Sequence, residues 1–192
     1  SSMLMITHWT NTLMLGMFRT EAEVGIFNVA ARISTATSFT LIAINTITAP
    51  KFAEFYGKRD YMGLEKFVQK STKLIFWTSF PILLAIIFSP SFILGIFGEE
   101  FKTGVLALII LTIGQFINSV SGSVGILLNM TGRHKVFQYI MLTTAFLNII
   151  LNALMIPKYG IHGAAIVTMI SFAFWNLISV IYIKYSMNIR TL

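Results

Sequence analysis

The stretch VLALIILTIGQFINSVSGSVGILLN (residues 105–129) contains no charged residue. As a helix rising ~1.5 Å per residue it is roughly 36 Å long, enough to cross a hydrocarbon layer of ~30 Å. Membrane strands would show alternating runs of ~10 residues, and this stretch does not alternate. Gln115, Asn118, Gly122, Gly125 and Asn129 follow one another at steps of three and four, a narrow polar stripe down one side of a helix. It therefore reads as a spanning helix with an apolar perimeter and one polar edge.

Five further apolar runs repeat that reading, at about 3–18, 26–49, 74–97, 136–156 and 161–183. The first is short, and we read it as truncated. The chain of 192 residues is 56% hydrophobic and 11% charged, with a mean hydropathy of +0.79. Soluble domains carry about 25% charged residues, and one of this size exposes too much of its surface to hide so many apolar side chains. The expected class is all-α: a polytopic membrane protein, a bundle of six transmembrane helices over 1–192. The absence of cysteine removes disulfides, thiolate metal sites and cysteine nucleophiles from consideration. No basic region precedes the first apolar run, so no signal peptide is read there, and the sequence is expected to begin inside a longer protein.

Charge sorts by connection. Lys51, Lys58, Arg59, Lys66, Lys70, Lys73, Arg133, Lys135, Lys184 and Arg190 fall in alternate connections and at the C-terminal end. Only Arg19, Lys102 and Lys158 lie in the others, beside Glu21, Glu23, Glu99 and Glu100. The positive-inside rule puts the first group, and both ends of the chain, in the cytoplasm. The excess of +7 suits anionic membrane lipids as partners, and nucleic acid is not expected. Within the cytoplasmic 51–70 segment, Phe52, Phe55, Tyr56, Leu64, Phe67 and Val68 recur at helical steps between lysines. This predicts an interfacial amphipathic segment with its rings in the acyl boundary, either a tether or a gating element.

Polar residues inside the spans are where function is expected, because hydrocarbon penalises them. Arg32, Thr35, Ser38, Asn45 and Thr46 share one side of the second span. Asn148 and Asn152 follow Thr144 at four-residue steps in the fifth, and Thr168, Ser171, Trp175, Ser179 and Tyr182 line one side of the sixth. His8 and Asn11 share a face of the first. Such stripes point inward, to packing partners or to a water-filled lumen; their amide content favours the lumen. Arg32 is the sharpest signal, since a guanidinium at a span's centre costs at least ~2.5 kcal/mol and calls for an anion or water. No carboxylate lies within any span. The partner is then a ligand anion, with phosphate well matched to the guanidinium fork, or else headgroups reached by snorkelling from ~9 Å inside the span. Proton or sodium coupling through an embedded Asp or Glu is excluded within the stretch. No nucleophile–base pair, metal-spaced cluster or phosphate-cradling loop is read, so neither an enzyme nor a cofactor is expected. Pro81 is expected to kink its helix.

Several strings taken together resemble a known family. NTLMLGMFRTEAEVGIFNVAARIS (11–34), AINTITAPKFAEFY (43–56), FPILLAIIFSPSFILGIFGEEF (80–101), LLNMTGRHK (127–135) and LNIILNALMIPKYGIHGAA (147–165) are similar to the C-terminal half of Wzx-type polysaccharide-biosynthesis flippases. These belong to the multidrug/oligosaccharidyl-lipid/polysaccharide exporter superfamily. The resemblance implies one lobe of a MATE-like two-lobe transporter, partnered by a missing N-terminal lobe, in a bacterial or archaeal cytoplasmic membrane. It implies a lipid-linked oligosaccharide, carried on undecaprenyl pyrophosphate, as substrate. Arg32 would attract the pyrophosphate, and Asn11, Asn45, Gln115, Asn118, Asn148 and Asn152 would face substrate or cavity water. Relatives often carry Asp where this chain has Asn11, which weakens any cation-coupling role at that position. A cation-coupled multidrug antiporter and a non-transporting assembly protein are the alternative readings.

Overall fold

A computed structural model describes the backbone of residues 2–191 and the side chains of residues 10–191, so the expectation placed on His8 lies outside the described side chains. The described chain is helical, with no strand. Helix α1 (Ser2–Phe18) is followed by α2 (Glu21–Thr35), which Thr20 caps by accepting from the Glu23 amide. A 3-10 turn over Ala36–Ser38 joins α2 to α3 (Phe39–Gly57), so one rod runs from 21 to 57. Asp60 caps α4 (Tyr61–Phe88) through the Gly63 amide at 2.8 Å. Short α5 (Pro90–Gly95) and a 3-10 stretch (Glu99–Gly104) lead to α6 (Val105–Val120), α7 (Val124–Met130) and α8 (His134–Met187).

Helix α8 is 54 residues long and would reach about 81 Å if straight. It instead doubles back at Gly160, whose φ of 55° and ψ of −132° are open only to glycine. Two arms result, each long enough to cross a bilayer. The six apolar runs thus map onto α1, the α2–α3 rod, α4 with α5, α6 with α7, and the two arms of α8. Boundaries differ in places. Gly122, at φ +72°, splits the fourth run into α6 and α7, because a side chain there would collide with Thr72. The third helix begins at Tyr61 rather than 74 and stops before Pro90. It runs through Pro81 without interruption.

The 51–70 segment is the last turns of α3 and the first turns of α4. Phe52 and Leu64 are completely buried and Val68 nearly so, packed with Val124, Leu127, Trp175 and Ile183, while Phe55, Tyr56 and Phe67 are half-buried against the same cluster. Amphipathic spacing identifies an apolar face but not what covers it, and here α7 and α8 do.

Two apolar clusters result. One joins Leu15, Phe27, Leu108 and Ile156 from α1, α2, α6 and the first arm of α8. The other joins Phe52, Leu64, Leu127 and Ile183. Along α6, the α2–α3 rod and both α8 arms, the buried amides and hydroxyls fall between the two clusters. The perimeter is apolar as well: Met17, Trp77, Phe88, Phe92, Phe146 and Leu177 are all more than half exposed. Water would oppose so much open apolar surface, whereas hydrocarbon accepts it. The chain is an all-α, multi-pass membrane protein.

Candidate functional site

The polar layer is built from three hydrogen-bonded groups. In the first, the Asn152 amide donates to Oδ1 of Asn11 at 2.6 Å and to Oδ1 of Asn148 at 3.0 Å. Asn11 in turn donates to Thr168 Oγ1 at 2.8 Å, and Asn148 donates to Ser171 Oγ at 3.0 Å. The two hydroxyls pass their protons to the carbonyls of Ala164 and Val167 one turn back. The four-residue step between Asn148 and Asn152 aligns them on the first arm of α8, where they meet α1 and the second arm together. All three asparagines are essentially sealed from solvent, at 1% exposure or less.

The second group ties the 3-10 turn to α6. Ser38 Oγ lies 2.8 Å from Gln115 Oε1 and 3.2 Å from Ser119 Oγ. In the third, Asn176 donates to Asn118 Oδ1 at 3.1 Å and to the Phe172 carbonyl at 2.9 Å. Gln115 and Asn118 are half-buried, so each keeps an open side. Asn45 is half-buried and belongs to none of the groups; its Oδ1 has no hydrogen-bond partner.

Arg32 lies apart from all of these. It sits in the last turn of α2, exposed, and its guanidinium makes no hydrogen bond or ion pair with any described residue. Ala30, Ala31 and Ser34 face the core around it. Thr35, Phe39, Ile42 and Thr46 continue its outward face along the rod, with Phe39 62% exposed. Of the seven expected contact residues, the structure joins Asn11, Asn148 and Asn152 to one another, and pairs Gln115 with Ser38 and Asn118 with Asn176. Asn45 and Arg32 stand alone.

Two further positions stand out in the structure alone. Asn176 lies beside the stripe that contains Trp175, not in it. Arg19, an orientation mark by sequence, donates from its guanidinium to the Ile156 carbonyl at 3.3 Å and to the Pro157 carbonyl at 3.0 Å. Both carbonyls lie in the last turn before the break at Gly160, and a cation suits a helix C-terminal end. Glu23 stands 4.0 Å from the same guanidinium. Together with Thr103, Lys158, Tyr159 and His162 they line a cleft of about 440 Å³. The pairing of Pro157 with Gly160 was the available signal for a helix end needing a cap.

Comparison with known proteins agrees with this architecture. The MatE family matches residues 2–154. A probable low-salt glycan biosynthesis flippase, Agl15 of Haloferax volcanii, is 26% identical over 95% of this chain and 39% of its own length. The capsular polysaccharide biosynthesis protein CapF of Staphylococcus aureus is 28% identical over 82% of this chain and 40% of its own length. The chain thus spans about two fifths of the curated relatives it matches. A solved MOP superfamily transporter from Pyrococcus furiosus superposes with a TM-score of 0.80, covering 98% of this chain and 42% of that one at 19% identity, so the fold is shared. With most of its residues under that one family description, and its bundle recurring within a solved transporter, this chain belongs to the MatE family.

Proposed function

We propose that this chain is one lobe of a flippase that moves a lipid-linked oligosaccharide, carried on undecaprenyl pyrophosphate, across the cytoplasmic membrane. The observation that carries the reading is Arg32: a guanidinium within an apolar span, exposed on the lobe and unpaired among the described residues. An unpaired cation at that depth is costly unless an anion or water reaches it, and a diphosphate fits its fork. Similarity to a probable glycan biosynthesis flippase and to a capsular polysaccharide biosynthesis protein supports the same substrate class.

The outward face running from Arg32 through Thr35 and Phe39 to Thr46 would line the route. Gln115, Asn118 and Asn45 would offer hydrogen bonds to sugars or water. Asn11, Asn148 and Asn152 bond one another and the hydroxyls of Thr168 and Ser171, and would keep the lobe rigid. A rigid lobe rocking against an N-terminal partner lobe switches access between the two sides, as in other repeat-built transporters. Both ends of the chain would lie in the cytoplasm.

Replacing Arg32 with Ala in the intact protein is expected to lower surface glycan about tenfold or more at unchanged protein level, since a charge-assisted contact contributes roughly 1.5–3 kcal/mol. Arg32→Lys should recover part of the loss, because the charge is kept but not the fork. Undiminished glycan in both variants contradicts the assignment.

A further inference from the structure

One face of α4 carries an unusual stripe. Met62, Lys66, Lys70, Lys73 and Trp77 fall within about 80° of one another at 100° per residue. All five are exposed, Met62 and Trp77 at 69% each. The opposite face is fixed, because Leu64, Val68 and Ile75 are buried in the core. The lysine stripe must therefore look away from the lobe.

The charges at this end of the molecule are not equivalent. Lys51 and Lys58 are both held by Glu54, each at 2.8 Å. Asp60 caps the Gly63 amide at 2.8 Å, and Glu65 accepts from the Arg190 amide at 2.9 Å. Every carboxylate near the stripe is thus engaged elsewhere. Lys66, Lys70 and Lys73 have no ion pair among the described residues, and they span only ~10 Å along the helix.

Depth completes the argument. With 28 residues, α4 is about 42 Å long, roughly 12 Å more than the hydrocarbon layer. If Phe88 meets one edge of that layer, the other edge falls about 20 residues back, near Val68, so Lys66 lies just outside it and Lys70 just inside. Lys73 then lies about 8 Å inside, a depth from which a lysine reaches the headgroups by snorkelling, and Leu74 and Trp77 lie deeper, among the acyl chains.

We infer that Lys66, Lys70 and Lys73, with Trp77 beside them, form a binding strip for the headgroups of anionic phospholipids. The ammoniums meet phosphate, the indole and Leu74 lie against the acyl chain below, and whatever the lobe transports plays no part in this contact. The strip fixes how deep the lobe rides and supplies a reference against which it can rock.

The test uses Trp77 as the reporter. The protein is reconstituted in nanodiscs containing brominated phosphatidylglycerol or brominated phosphatidylcholine, and the Trp77 share of quenching is isolated by subtracting a Trp77→Phe variant. We expect half-maximal quenching at a mole fraction about fivefold lower for the anionic lipid, the worth of one lysine at a membrane surface (~1 kcal/mol). The triple variant Lys66→Gln, Lys70→Gln, Lys73→Gln should lose the preference, and the matching triple Arg variant should keep it. Lys51→Gln with Lys58→Gln should leave it unchanged. Equal quenching by both lipids in the parent protein overturns the proposal, as does a preference that survives the Gln triple. So does displacement of phosphatidylglycerol by equimolar polyprenyl diphosphate, which would give the strip to that anchor instead. None of these readings depends on transport, so failure here is distinguishable from failure of the flippase reading.

Discussion

Asn152→Leu is expected to lower the thermal midpoint of the detergent-solubilised protein by roughly 5–10 °C, at about 2–4 °C per kcal/mol for a chain of this size. The Asn152 amide is the donor that joins α1 to the first arm of α8, through Asn11 at 2.6 Å and Asn148 at 3.0 Å. Leucine fits the volume but donates nothing. Two acceptors, each at most 1% exposed, then lose a partner where no water can replace it. A buried unmet acceptor costs about 1–3 kcal/mol, and hydrogen bonds between membrane helices average nearer 0.6 kcal/mol, so a net loss of about 2–3 kcal/mol lies between these limits. The effects of Asn11→Ala and Asn152→Ala should be non-additive, by at least about 0.5 kcal/mol in a double-mutant cycle. A midpoint unmoved by Asn152→Leu would mean that the amides are not coupled to one another.

Gly160→Ala should be about as damaging, through the backbone rather than through a lost bond. At φ 55° and ψ −132° an alanine is strained by about 1–3 kcal/mol. Its Cβ would only touch the Arg19 guanidinium, at 3.4 Å from Nε, so the cost comes from the backbone. The neighbouring Gly163 is a useful companion. It is regular helix, but a Cβ there would come within 2.5 Å of the Met155 carbonyl across the fold of the chain. Both substitutions should open the angle between the two arms, and faster amide hydrogen exchange around 156–163 would report it. Protection in that segment equal to the parent's would contradict the hinge described here.

Apolar composition makes the helices legible, because a membrane helix is specified by its composition over about twenty residues and little else. The breaks were less legible. At Gly160 the sequence showed a boundary between two runs, but a connection and a sharp fold in one helix look alike until a positive φ is seen. The stripe of Asn148 and Asn152 was correctly read as inward-pointing. Whether an inward amide meets water or another amide depends on what α1 brings opposite, and spacing within one helix does not contain that. The 51–70 segment illustrates the same gap: Phe52 and Leu64 announce an apolar face, and only the position of α7 and α8 decides that protein covers it. Arg19 is hard to read for a related reason. Its partners are carbonyls, which every residue has, so nothing in the neighbouring letters marks them out.

On the proposed function, the outward face of the α2–α3 rod lines a wet translocation route. Phe39 is the position to probe, being 62% exposed and near the middle of the rod. This chain has no cysteine, so Phe39→Cys adds a single thiol to it. The same thiol introduced by Phe146→Cys, 68% exposed on the first arm of α8, serves as the lipid-facing reference. In intact membranes the account predicts that a water-soluble maleimide labels Phe39→Cys, that added lipid-linked oligosaccharide slows the labelling, and that Phe146→Cys stays unlabelled. Equal resistance of the two thiols would place that face of the rod against lipid and contradict the account.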